Sequence, residues 1–211
     1  MCATYWLGDG VDIEIANLLN ELNEQYGDPT LLDERYFPDG AFVPKDVYPK
    51  YLSEVITHSS DGFVLDSASW GFMRDEKNIV FNTRSDKVLY SYFWKSAYLN
   101  NRGFVVCSGF YEHRRNEEGK NVRYLFTLPA SEIICIASIL EERKTQEGET
   151  KLYYSLITTE ANESVSPIHS RMPLILSKEQ LYSWVTDVNF ANEMLKTEMP
   201  VLAYQPKDKD N

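Results

Sequence analysis

The 211-residue sequence is poor in cysteine, with three residues at Cys2, Cys107 and Cys135. Three thiols close at most one disulfide and leave one over, which excludes the stapled framework of a small secreted domain and fits a reducing compartment. Long apolar runs are missing as well. The longest, from Ile133 to Ala137, falls far short of the roughly 20 residues a membrane-spanning helix needs, and no cationic stretch opens the chain as a signal peptide would. A cytoplasmic protein with no membrane partner is expected. Lys and Arg are absent from residues 1–34, which carry eight carboxylates and most of the net charge of −11. That acidity argues against strong nonspecific DNA binding. The window Arg84 to Arg123 runs the other way, with eight basic residues against four acidic, so a polyanionic partner is not excluded. Histidine is scarce, and no Cys or His pair has the close spacing of a zinc site. Neither a glycine-rich phosphate loop nor a dinucleotide fingerprint is present, so neither a metal nor an organic cofactor is expected.

What is present is ordinary globular composition, 43% apolar and 13% aromatic, with length for one domain over residues 1–211. Val11, Ile15, Leu18, Leu19, Leu22 and Tyr26 recur at helical spacing, with Asp9 and Gly27 placed to cap an acidic amphipathic helix. Residues 28–69 hold Pro29, Pro38, Pro44 and Pro49, a composition of irregular chain with at most a short strand at Gly62 to Leu65. Further on, Phe104 to Phe110, Arg123 to Leu128, Ile133 to Leu140 and Leu152 to Thr158 read as strands of an antiparallel meander separated by turn sequences. Ser177 to Gln180 forms a capping box that opens a helix with Leu181, Trp184 and Val185 facing inward. The polar tail from about 206 to 211 is expected to fray.

Several residues have chemistry to offer. Met1 precedes a small residue, so its removal is expected to leave Cys2 with a free amine and a thiol together. An α-amine titrating near pH 7.7–8.0 condenses with an aldehyde, and the neighbouring thiolate can then close a thiazolidine. From position alone, Cys2 is more often an accident of the start codon. Glu112 ends an apolar strand that could raise its pKa toward general acid or base work; a lone carboxylate there is ordinarily a surface or cap residue. His169, in a turn-like Pro167-Ile168-His169-Ser170, is by itself more often structural than catalytic. Asn82-Thr83-Arg84-Ser85 offers an amide, two hydroxyls and a cation to a carbonyl or phosphate oxygen, or is a polar turn. Trp70, Phe72, Trp94 and Phe110 could stack on bases, although large aromatics are mostly recruited to a core.

Taken in order, these segments resemble the SOS response-associated peptidase family, also called abasic-site processing proteins. The resemblance lies in Met1-Cys2, Trp70-Gly71-Phe72-Met73, Phe81-Asn82-Thr83-Arg84-Ser85-Asp86-Lys87, Arg102 and Cys107 leading to Ser108-Gly109-Phe110-Tyr111-Glu112, Thr158 to Asn162, and Ile168-His169-Ser170-Arg171-Met172-Pro173. It spans the chain from Cys2 to about Trp184. It implies a single α+β domain with an antiparallel β-barrel-like core and peripheral helices. It also implies a monomer that binds single-stranded DNA and works in the cytoplasm, at the nucleoid when on DNA. The mature N-terminal Cys2 would form a thiazolidine crosslink to abasic sites after self-cleavage of Met1, with lyase activity alongside. Asn82, Glu112 and His169 would complete the catalytic set, and Arg84, Arg171 and Trp70 would contact DNA. The sequence departs from the family at Ala3-Thr4, where Gly-Arg is usual, at His113, where tryptophan is usual, and at Asp86, where glutamate is usual. Two other readings of Cys2 are an N-terminal-cysteine amidohydrolase or peptidase acting on a substrate other than DNA, and a diverged binding module without catalysis.

Overall fold

The computed structural model describes residues 3–28, 45–75, 78–129, 131–145 and 148–207. Its first strand, β1 (Tyr5–Leu7), leads into helix α1 (Val11–Tyr26), which follows the sequence expectation residue for residue. Val11, Ile15, Leu18, Leu19 and Leu22 form its buried stripe. Its N-cap is Gly10 rather than Asp9, because the chain turns there through a φ of 75°, a conformation glycine adopts freely. Next come β2 (Lys45–Val47), β3 (Leu52–Ser59), β4 (Gly62–Trp70), β5 (Phe72–Met73), β6 (Ile79–Val80) and β7 (Asn82–Arg84). The expectation of irregular chain up to residue 69 is corrected here. Beyond the proline-bearing residues 29–44, which lie outside the described residues, β3 and β4 form a long hairpin. Their composition hid them because Ser, Thr and Asp alternate with Val, Ile and Phe on a sheet whose other face looks outward.

The second half supplies α2 (Lys95–Asn100), β8 (Arg102–Cys107), β9 (Gly109–Arg115), β10 (Asn121–Thr127), β11 (Ile134–Lys144), β12 (Thr150–Glu160), β13 (Arg171–Pro173) and β14 (Ile175–Leu176). The capping box at Ser177 then opens a 3₁₀ turn (Lys178–Gln180) that runs into α3 (Leu181–Thr186), followed by α4 (Val188–Met194) and β15 (Ala203–Pro206).

Strands β3, β4, β8, β11 and β12 close into a five-stranded barrel. The ring runs β12-β4-β3-β8-β11 and returns to β12, and its closing joint, Tyr153 with Ser69 and Tyr154 with Trp70, is parallel. Closure removes exposed strand edges and leaves an interior that side chains must fill. A second sheet, in the order β15-β10-β9-β1-β2, packs beside the barrel. The expected meander is therefore two hairpins in two sheets. The chain crosses between them at Ser108, whose N–H donates to Trp6 O at 2.9 Å. At the crossing the backbones approach so closely that a Cβ on Gly109 would lie 2.6 Å from Phe126 O. Pro206 belongs to β15, and residues 208–211 lie outside the described residues. Among the described residues no helix is long and apolar enough to cross a membrane.

Candidate active site

Two segments come together where the second sheet meets the barrel, and a third, β7 on β12, lies beside them through Arg171. β9 is paired along β10 and, at its start, with β1, and its Glu112 is buried to 3% exposure. Taking a carboxylate out of water disfavours its charged form, so Glu112 is pushed above the ordinary carboxylate range, with His169 opposing the shift. His169 lies 3.9 Å away, Nδ1 to Oε1, in the turns between β12 and β13. Those turns are anchored by main-chain bonds from His169 N–H to Val165 O and from Ala161 N–H to Ser170 O.

The imidazole is held by the backbone of Arg171. Its Nδ1 stands 3.0 Å from Arg171 N and 3.1 Å from Arg171 O. A neutral ring accepts the Arg171 N–H at Nδ1. A protonated ring donates from Nδ1 to Arg171 O, with Glu112 next in line. One ring nitrogen thus lies within hydrogen-bond reach of both a backbone donor and a backbone acceptor without rotation of the ring.

β7 adds Asn82 and the first arginine. Rather than a polar turn, Asn82-Thr83-Arg84 is a strand pairing parallel to Leu156-Ile157-Thr158 of β12, and β13 pairs with β12 from Thr158 to Glu160. Alternation along these strands sets Asn82, Arg84 and Thr158 on one face and turns Thr83 to Ser155, with the two hydroxyls 2.9 Å apart. Asn82 is buried at 6% exposure. The guanidinium of Arg84 is half exposed and grips Asp86 through two bonds, Nε to Oδ1 at 2.9 Å and Nη2 to Oδ2 at 2.7 Å. Arg171 is buried, donates to Thr158 O and lies 3.6 Å from the same Asp86 carboxylate. Asp86 thus joins the two arginines and is held down to about 2, chiefly by the bond from Arg84. Its role was not read from the sequence, although its place two residues after Arg84 was the available signal.

Trp70 does not fit a DNA contact. It is fully buried, tilted against Tyr5 and stacked on Tyr154, and its indole N–H donates to Phe81 O at 2.8 Å. With no ring face in solvent it fills the barrel, as Phe72, Trp94 and Phe110 fill the core. The basic window is also less available than its count suggests. Arg102 is buried against helix-end carbonyls, and Arg123 pairs with Asp46 at 2.5 Å while lying over the Tyr111 ring.

Cys2 lies outside the described residues. The chain that follows it is placed: Thr4, buried, accepts the Tyr111 N–H at 2.9 Å, immediately beside Glu112.

The architecture is that of an α+β protein on a closed barrel, with a carboxylate and an imidazole meeting at the seam between sheets. The model of the family described as SOS response associated peptidase (SRAP) matches residues 1–208, and the chain belongs to that family. Over 171 residues it is 25% identical to the abasic site processing protein YoaM of Bacillus subtilis, covering 78% of this chain and 75% of that protein. Over 187 residues it is 29% identical to the abasic site processing protein HMCES of Gallus gallus. There the match covers 74% of this chain and 56% of the relative, so the chain spans about half of that longer protein. The fold is similar to crystal structures of a protein from Bacteroides thetaiotaomicron (TM-score 0.74, 20% identity, 98% of this chain and 93% of that one). It is also similar to a phage-related protein from Bordetella bronchiseptica (TM-score 0.73, 17% identity, 99% and 95%).

Proposed function

We propose that this protein processes abasic sites in single-stranded DNA by forming a thiazolidine through Cys2 once Met1 has been hydrolysed from it. The observation that carries this reading is the buried Glu112 facing His169 at 3.9 Å, on the strand along which Thr4 runs. Relatives that bear the name abasic site processing protein supply the substrate class.

Loss of Met1 exposes the α-amine. That nitrogen adds to the C1′ aldehyde of the ring-opened sugar, and water leaves to give an imine. The Cys2 thiolate then attacks the imine carbon, forming the C–S bond and closing the ring. Glu112, inclined by burial to hold a proton, donates it to the departing hydroxyl. His169 takes the proton released from the amine or thiol. At the imine it can instead remove a proton from C2′, so that the 3′ phosphate leaves and the strand is cut. Asn82 holds the N-terminal residue and the opened sugar, and the Arg84 and Arg171 pair meets phosphate, for which a guanidinium fork is shaped. A single strand suits the reaction because the splayed lesion needs no unpairing.

The test is intact mass after incubation with single-stranded DNA containing one abasic site. The wild type is expected to lack Met1 and to gain one DNA strand less one water, and Cys2→Ala to gain none. A retained Met1, or an equal adduct with Cys2→Ala, overturns the reading.

A further inference from the structure

Beside the arginine pair opens a cleft of about 740 Å³, bordered by Arg171 and Asp86, whose other walls the chemistry above does not use. Its near wall is the segment after β7, which winds in successive turns: Val88 N–H donates to Arg84 O, Tyr90 N–H to Lys87 O and Lys95 N–H to Ser91 O, each at 3.0 Å. Val88 and Trp94 bury the inner side of that segment, while the Tyr90 ring stands 86% exposed at the mouth of the cleft. An ordered backbone holding a large aromatic in water, next to Asp86 and Arg171, buries nothing in the free protein. The far wall is apolar at its base, with Leu195 and Met199.

The charges decide what the cleft can hold. Asp86, Glu160 and Glu198 line it against Arg171 and Lys196, so it is net acidic inside while the exposed guanidinium of Arg84 lies close by on β7. Away from Arg171 the lining carries Glu160 and Glu198 against Lys196, which disfavours a phosphate there but not a neutral planar group. We infer that this cleft seats the nucleobase of a nucleotide adjoining the lesion, with Tyr90 as its stacking platform. The inference rests on the proposed action on single-stranded DNA and deepens it. An abasic nucleotide has no base of its own to stack, so the strand must be oriented through its neighbours. An aromatic beside a cationic phosphate seat is the arrangement that binds single strands without pairing.

The experiment measures fluorescence anisotropy with a labelled single strand carrying a tetrahydrofuran abasic analogue, which binds but has no aldehyde to crosslink. Tyr90→Ala is expected to weaken binding about ten-fold and Tyr90→Phe to leave it unchanged, since stacking needs the ring and not the hydroxyl. When the bases on both sides of the analogue are also removed, wild type and Tyr90→Ala should bind alike. Tyr90→Ala binding the base-flanked strand as tightly as wild type, in a protein that still crosslinks aldehyde-bearing abasic DNA, overturns this inference alone. Absence of any wild-type crosslink overturns the underlying reading instead.

Discussion

Burial gives Glu112 a stability cost that can be separated from its chemistry. Its folded pKa lies above the ordinary 4.5, so the folded protein keeps this proton to higher pH than the unfolded chain. Stability from the protonated carboxyl is then complete below the unfolded value and fades as pH rises through the folded one. Glu112→Gln is expected to melt above wild type at neutral pH and level with it below about pH 4, while forming less DNA adduct. Thermal melts across pH check the first part, and a difference that persists unchanged in acid would refute it. Asp86 makes the opposite case. Its pair with Arg84 is about half exposed, so solvent screening leaves it little to contribute to folding. Its charge nonetheless occupies both arginines. Asp86→Asn should melt close to wild type, bind single-stranded DNA more tightly, and steepen the log–log salt dependence of binding by roughly one. Weaker binding would mean that Asp86 serves to position the arginines.

Among the elements, the two short helices α2 and α3 are too brief to hold themselves, and neither carries a basic residue in its last turn. Arg102 of β8 serves both. Its Nη1 donates to Tyr98 O at 2.7 Å and Leu99 O at 2.9 Å, its Nε to Trp184 O at 2.7 Å, and its Nη2 to Val185 O at 3.2 Å. A buried cation is tolerable because the carbonyl ends of two helices face it. Arg102→Met keeps most of the volume and strips four carbonyls of their donor, so it should cost about 3 kcal/mol or more, read as a lower urea midpoint. A variant within 0.5 kcal/mol of wild type would show that water replaces the guanidinium, on the scale expected of ordinary surface changes. The residue had been legible only as part of a motif leading to Glu112; its task is to lock helices onto the barrel.

At the scale of the molecule, the second sheet must be fastened to the barrel for Glu112 to meet His169. Tyr5 of β1 reaches into the barrel, where its hydroxyl meets Ser53 of β3 and lies 2.8 Å from that of Tyr154 on β12, with Ser53 Oγ and Tyr154 Oη 2.9 Å apart. All three residues are buried, so a missing partner would not be replaced by solvent. Tyr5→Phe keeps the ring and removes one hydroxyl, and is expected to cost about 1–2 kcal/mol, a drop of roughly 2–8 °C in calorimetry. An unchanged melting temperature would remove this cluster from the account of how the sheets are joined.

The sequence alone determined what local chemistry determines. The 3.6-residue period and its glycine stop defined α1, β-rich runs between turn residues located β10, β11 and β12, and the blocks around Asn82, Glu112 and His169 identified the family. Those signals survive in one dimension because they depend on residues a few positions apart. The run Phe104 to Phe110, read as one strand, is divided by the structure at Ser108 into β8 and the start of β9. The hairpin of β3 and β4 is local, and only its mixed polar and apolar composition hid it. The parallel closure of β4 on β12 was decided by the tertiary structure, since it pairs strands far apart in the chain, and the switch of sheets at Ser108 depends on what packs on either side of it. The same holds for Trp70 and Asp86. Whether an aromatic faces a base or a core, and whether an aspartate stands free or bridges two arginines, depends on what packs against it, and burial is a property of the folded whole.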